Sequence, residues 1–411
     1  MKKNVFALLS IIAALALVTA CGGTAATQAS AAVEPTAEVA TGDEWGEIVV
    51  PAGSEVTLGL SSALTGGYAV YGQDMLNGVN LAIDKFGGQL KGFTLVAEGA
   101  DDQCEGAPGV TVAEQFSADP YLIGVVGPMC SGTAVPAGDI YSKNHVLVIT
   151  PSVTAVVVTS FGYENQFRVV ANDDLQAKVT VDWLTQELGV KKLGIVHDQS
   201  IYGQGIAEAV QAKFTEAGGT TTGIEGLTRG DTDFSAVVST TLAGEPDAVY
   251  WGGMDAEGAL LVNQLRKAGF TGYFFGPDGV KSKPSFVDAS GGAAEGAYIT
   301  FGAVGGATGY DEFLAAFQTK FGSDPVAYAP GSFDAALIIL QAADKVATVD
   351  ADGNLVIGRK ALADAVRATP YDGVTGHLEF TDTGDLGAVS ITVFKVVDGE
   401  IVPQKEFAFG K

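Results

Sequence analysis

The chain has 411 residues, 47 % of them hydrophobic, which supplies apolar material for more than one ordinary core and points to a two-lobed protein. Its 48 acidic side chains against 23 basic ones give a formal charge of −25. Such a surface repels phosphate backbones and excludes nucleic acid as a partner.

In chain order, residues 1–20, "MKKNVFALLSIIAALALVTA", place Lys2 and Lys3 before a short apolar run and small residues, the build of a secretion signal peptide. Cys21 follows in "VTAC", an arrangement that resembles a lipobox, so lipidation of Cys21 and a membrane anchor are expected. Removing the leader takes away two lysines and no acids and deepens the negative charge. Residues 21–53, rich in Ala, Thr, Gly, Glu and Pro and without a sustained apolar period, read as a flexible tether. No other segment has the length and uniform apolarity of a membrane span.

From residue 54 onward, strand-like and helix-period segments alternate, the pattern of parallel sheets covered by helices in an α/β fold. "SEVTLGL" reads as a strand, and "GQDMLNGVNLAIDKFGG" sets Met75, Val79, Ala82, Ile83 and Phe86 on one helical face before Gly87 and Gly88 stop it. "FTLVAEGAD", "YLIGVVGP" and "HVLVITPS" continue as strands, with helices "VTVAEQFSADP" and "GTAVPAGDIYSKN" between them. A lobe boundary is expected near Asn172. A second series follows, with strands "KKLGIVHD", "DAVYWGG" and "GYFFGPDG" and helices "DLQAKVTVDWLTQELG", "GIAEAVQAKFTEAGG" and "EGALLVNQLRKAGF". Three further helices, "YDEFLAAFQTKFG", "SFDAALIILQAADKVA" and "RKALADAVRA", precede a tail of strands and turns. The acidic stretch "DADGN" reads as a turn, because Leu355 and Ala361 replace the glycine and glutamate of a calcium loop.

Catalytic raw material is sparse. The chain has three histidines, and none stands in a metal-ligand spacing. Ser131 in "GPMCSGTAVP" has Met129 and Thr133 where a nucleophile elbow carries glycine, and neither a P-loop nor a G-x-G-x-x-G turn is present. The reading is a protein that is no enzyme and takes no cofactor or metal. With Cys21 set aside, Cys104 and Cys130 remain; in an exported protein a bridge is favoured over two buried thiols.

Polar residues instead collect after strand ends, where open α/β sheets bind ligands: Tyr71, Ser131 and Thr154 in the first series, Tyr202 and Asp278 in the second. Ser131, at a helix start, suits a carboxylate, although a helix cap needs the same residue. Thr154 offers a second hydroxyl. Asp278, on a Gly/Pro-rich turn, could be an ordinary turn residue, but opposite Ser131 and Thr154 it completes a site for a zwitterion.

The stretches "LTGGYAVYGQDMLNGVNLAID", "DDQC", "GPMCSGT", "DIYSKNHVLVITPSVTA", "IVHDQSIYGQG", "TDFSAVV", "VYWGG", "FFGPDGV" and "AEGAYIT", in this order, resemble the leucine/isoleucine/valine-binding proteins of ABC transporters. The resemblance runs from about Glu55 to the tail. It implies two Rossmann-like lobes with parallel-sheet cores joined by a multi-strand hinge, the type I periplasmic binding protein fold. Residues 54–172 and 303–385 would form lobe 1, and 173–302 and 386–411 lobe 2. By the same resemblance Cys104 and Cys130 are bridged, Ser131 and Thr154 hold an α-carboxylate, and the Ser152 carbonyl and Asp278 hold an α-ammonium. Tyr71, Tyr202 and Tyr328 would line the pocket. Two departures stand out: Asp278 replaces a glutamate, and Met254 replaces a tyrosine and reshapes the side-chain wall. The implied role is capture of a branched-chain amino acid by lobe closure and its delivery to an ABC permease, by an exported, lipid-anchored monomer. Binding of an amide, urea or aromatic acid on the same fold, and ligand sensing without transport, are the alternatives.

Overall fold

The computed structural model describes residues 42–302 and 307–410. The expected signal peptide, Cys21 and most of the expected tether lie outside the described residues.

Two sheets organise the chain. The first has six strands in the order Gln89–Leu90, Phe93–Asp101, Val56–Ser62, Leu122–Val126, Val148–Thr150 and Gln166–Arg168, all parallel except the first. Val56–Ser62 is buried at every position, as a strand covered on both faces must be. On one face the helix Ala69–Phe86 packs against Ala329–Val346, which returns to this sheet from late in the chain. Met75, Val79, Ala82 and Ile83 are buried as their spacing requires, and Gly87 ends the helix at φ 104°.

The second sheet has seven strands. Thr220–Gly226, Lys192–His197, Ala248–Gly252, Tyr273–Gly276 and Tyr298–Gly302 run parallel, and Val389–Val397 and Glu400–Phe409 complete it antiparallel. Ala248–Gly252 is buried throughout, and Trp251 and Tyr250 are among the largest fully enclosed side chains. The fold class is therefore α/β with two parallel-sheet cores, here called the first and second lobes.

The tether expected up to residue 53 is corrected at its end. Glu47–Val50 is a strand whose Ile48 and Val50 are buried, paired antiparallel with Leu355–Gly358. A four-residue strand shows only two apolar alternations, and its partner lies some three hundred residues away in sequence, so local composition hides it. The edge strand Thr220–Gly226 and the helix Ser235–Ala243 also escape the pattern analysis: the former is half-buried along most of its length and the latter is short. The "DADGN" stretch is a turn, with the Asp350 carboxylate accepting from the N–H groups of Asp352 and Asn354.

Candidate functional site between the lobes

Parallel strands direct their carboxyl ends to one edge, and the loops leaving the two sheets there enclose a cavity of about 50 Å³. Met129, Ser131, Gly132, Ser152 and the Cys104–Cys130 pair line it from the first lobe, together with Tyr328. Asp198, Ser200, Tyr202, Arg229, Met254 and Asp278 line it from the second.

On the first wall, Cys104 and Cys130 are bridged, with Cα atoms 5.3 Å apart. The bridge ties the residue before the helix Ser131–Lys143 to the loop before Gly106–Ala118. Ser131 is the first residue of its helix rather than the cap, a position held by Cys130, so the helix start and its unpaired N–H groups form part of the cavity wall. Its hydroxyl accepts from the Ala155 N–H at 3.4 Å. Ser152 donates to the Met129 carbonyl at 2.9 Å, and the buried Arg168 donates to the carbonyls of Val153 and Ala155, so the loop following Val148–Thr150 is held from both sides. Arg168 is itself compensated by Asp385 at 2.7 Å. Thr154 is fully buried and does not line the cavity; its hydroxyl has no partner within the protein.

On the second wall, Asp278 follows the strand Tyr273–Gly276 and is only 6 % exposed. One carboxylate oxygen accepts from Tyr202 Oη at 2.7 Å and from Gln176 Nε2 at 2.8 Å. Burial pushes its carboxyl above the usual range, and the two hydrogen bonds only partly offset that. The Gly279 N–H in turn donates to Tyr202 Oη at 3.0 Å. A Cβ at Gly279 would stand 2.8 Å from the Gly253 carbonyl and 2.9 Å from Tyr202 Oη, so this close approach requires glycine. Met254 precedes the helix Asp255–Lys267, and its carbonyl is fixed by Trp251 Nε1 at 2.9 Å.

Tyr328 is buried at the junction of the walls. Its N–H, with those of Val326, Ala327 and Ala329, donates to the single carboxylate of Asp74, which thereby satisfies the start of the helix Ala329–Val346. Tyr71, expected on the pocket wall, does not line the cavity. Its ring packs on Tyr328, with centroids 5.6 Å apart, and its hydroxyl donates to Asp255 of the second lobe.

Six of the eight expected ligand residues thus meet at one cavity, and Tyr71 and Thr154 stand behind it. Pattern reading missed Met129 and Gly132 on the first wall and the polar residues Asp198, Ser200 and Arg229 on the second. Asp198 directly follows Lys192–His197 and obeys the same strand-end rule that marks Tyr202 and Asp278. Arg229, in an irregular loop, carries no such signal.

Another group lies deeper. Asp173, at the start of the helix Asp173–Asp182, is wholly buried and neither carboxylate oxygen has a hydrogen-bond partner. Burial, reinforced by the negative charge of Asp278 and only partly offset by the nearby Thr154 hydroxyl and Arg168 guanidinium, pushes its carboxyl up to about 8. Among the described residues, no cluster of His, Cys, Asp and Glu is suited to hold a metal ion.

The family model described as "Periplasmic binding protein" matches residues 55–400. The chain is 33 % identical over 354 residues to Leu/Ile/Val-binding protein homolog 3 of Brucella melitensis, covering 85 % of this chain and 93 % of that one. It is 32 % identical over 356 residues to the Leu/Ile/Val-binding protein BraC3 of Rhizobium johnstonii, covering 85 % and 94 %. Among solved structures, the leucine binding protein LivK of Thermotoga maritima superimposes with a TM-score of 0.78 at 25 % identity, covering 86 % of this chain and 98 % of that one. The substrate binding protein LivJ of Streptococcus pneumoniae, solved with isoleucine, shares the fold with a TM-score of 0.77 at 23 % identity, covering 87 % and 100 %. With a match over most of its length, two parallel-sheet lobes and a cavity at their facing strand ends, the chain belongs to the periplasmic binding protein family.

Proposed function

We propose that the protein is the extracytoplasmic substrate-binding component of an ABC importer, which captures branched-chain amino acids between its lobes and delivers them to a membrane permease. The observation that carries this reading is the opposition of the two cavity walls: a helix start with hydroxyls faces a buried carboxylate, the complement of an α-amino acid. The names of the Brucella, Rhizobium and Thermotoga relatives supply the ligand class.

In this reading Ser131 and the N–H groups beside it hold the ligand carboxylate, with Thr154 as the second hydroxyl once the lobes adjust. Asp278 and the Ser152 carbonyl take the ammonium, and Tyr202, Met254 and Tyr328 border the side chain, with Tyr71 behind them. The lobes divide at residues 172/173, 302/303 and 385/386, so three crossings act as the hinge. No bond is made or broken; the work is recognition and closure. A signal peptide over residues 1–20, a lipid anchor on Cys21 and a monomeric state complete the proposal.

The test is a thermal-shift screen, because a ligand that binds only the native state raises the midpoint. Leucine, isoleucine or valine should raise it, and urea, short amides and benzoate should not. A response confined to ligands without an α-ammonium would overturn the assignment.

A further inference from the structure

Among the side-chain contacts between the lobes, two start from the same short stretch of the first lobe. Tyr71 lies in the first turn of the helix Ala69–Phe86, and its hydroxyl donates to the carboxylate of Asp255, with both side chains buried. Asp255 opens the helix Asp255–Lys267, where the helix start favours a negative charge, and it also accepts from the Ala256 N–H at 2.9 Å. Three residues before Tyr71, the Tyr68 ring lies under the guanidinium of Arg229, 5.1 Å from its centroid. Arg229 belongs to the loop after Thr220–Gly226 and stands 3.7 Å from Glu105 of the first lobe. One end of one helix therefore grips two separate elements of the opposite lobe.

These contacts need no ligand. Tyr71 and Asp255 do not line the cavity, and neither has been assigned a ligand charge. When the lobes part, the Tyr71 hydroxyl and the Asp255 carboxylate must exchange their mutual hydrogen bond for water, and the Arg229 guanidinium leaves both its aromatic face and its carboxylate. Both pairs are made in this arrangement of the lobes, and because parting the lobes must break them, their free energy would add to whatever the ligand contributes.

We propose that Tyr71–Asp255 and Tyr68–Arg229 form a latch that holds the cleft closed independently of ligand and so sets how fast a captured ligand is released; Arg229 also lines the cavity, so Tyr71–Asp255 is the half that acts from outside it. The two halves differ in kind. Tyr71–Asp255 is buried and insensitive to salt, whereas Arg229 is partly exposed and its pairing weakens as ionic strength rises.

The experiment is small-angle X-ray scattering of the purified, unliganded protein beside Tyr71→Phe, Asp255→Asn and Arg229→Gln. Tyr71→Phe and Asp255→Asn nearly keep side-chain size, and Arg229→Gln, shorter but in a surface loop, is the variant least exposed to folding defects. Relative to wild type, the Tyr71→Phe and Arg229→Gln profiles should each expand, and the double variant should expand most. Superimposable unliganded profiles would overturn the latch. A second readout rests on the proposed function: leucine release, followed by stopped flow, should be at least about tenfold faster from Tyr71→Phe, the loss of one buried hydrogen bond to a charged group. An unchanged release rate would also overturn it. If wild type fails to bind leucine at all, the proposed ligand falls, and the scattering of the unliganded protein still decides the latch.

Discussion

The two walls of the cavity are built from different materials. The first-lobe wall contains no charged side chain: Ser131, Ser152, the Cys104–Cys130 bridge and a helix start present hydroxyls and backbone groups. The second-lobe wall carries Asp198, Arg229 and Asp278. Neutral donors fixed by a helix and a disulfide are inexpensive to bury and stand ready before any ligand arrives. A buried carboxylate is not: Asp278 is held above its ordinary range until a cation reaches it. Most ligand-dependent energy is therefore expected on the second wall, and most pre-organisation on the first.

Four measurements break or sharpen that contrast. The largest effect is expected for Asp278→Ala, which strands a ligand ammonium in a buried site: the loss of one partner of a buried charge pair costs about 2–5 kcal/mol, so leucine affinity should fall at least roughly thirtyfold by titration calorimetry. Next comes the bridge that organises the first wall. Replacing both Cys104 and Cys130 with Ser opens a loop with a sequence separation of 26 and should lower unfolding free energy in urea by about 3 kcal/mol. Ser131→Ala removes one neutral hydroxyl from a site that keeps its helix start, and should weaken leucine by only about 1 kcal/mol, or roughly fivefold. An effect on Ser131 as large as that on Asp278 would erase the contrast between the walls.

A further effect, on stability rather than on binding, concerns Asp173 and appears as a pH dependence. Its carboxyl is raised to about 8 in the folded protein. Between the ordinary carboxylate value and that point the folded state therefore holds a proton that the unfolded chain has released. Stability from this group is complete at low pH and is lost as pH rises through the window up to about 8. Asp173→Asn stays neutral throughout, so its melting temperature should gain on wild type between about pH 5 and about pH 8. A constant difference across that range would mean that Asp173 is not protonated in the fold.

Much of this architecture is legible in the sequence because alternation of strand and helix periods is local. Met75, Val79, Ala82 and Ile83 announce their shared face within one helix, and Gly87 announces its end. The strand-end rule likewise brings Ser131, Tyr202 and Asp278 to one cavity. It says where a residue starts but not where its side chain turns, and so Tyr71 reaches toward Asp255 while Thr154 is enclosed behind the wall. Arg229, Asp255 and the strand Glu47–Val50 gain meaning only from partners supplied by distant parts of the chain, and no window of sequence contains both halves of such a pair.

The most direct test of a clamp for both charges of an amino acid compares L-leucine with 4-methylpentanoate, the same molecule without its α-ammonium, by calorimetric titration of the purified protein. Leucine should bind at least roughly thirtyfold more tightly, the discrimination expected from one buried ammonium–carboxylate pair. Equal affinities, or binding of 4-methylpentanoate alone, would contradict the role of Asp278 and with it the zwitterion site.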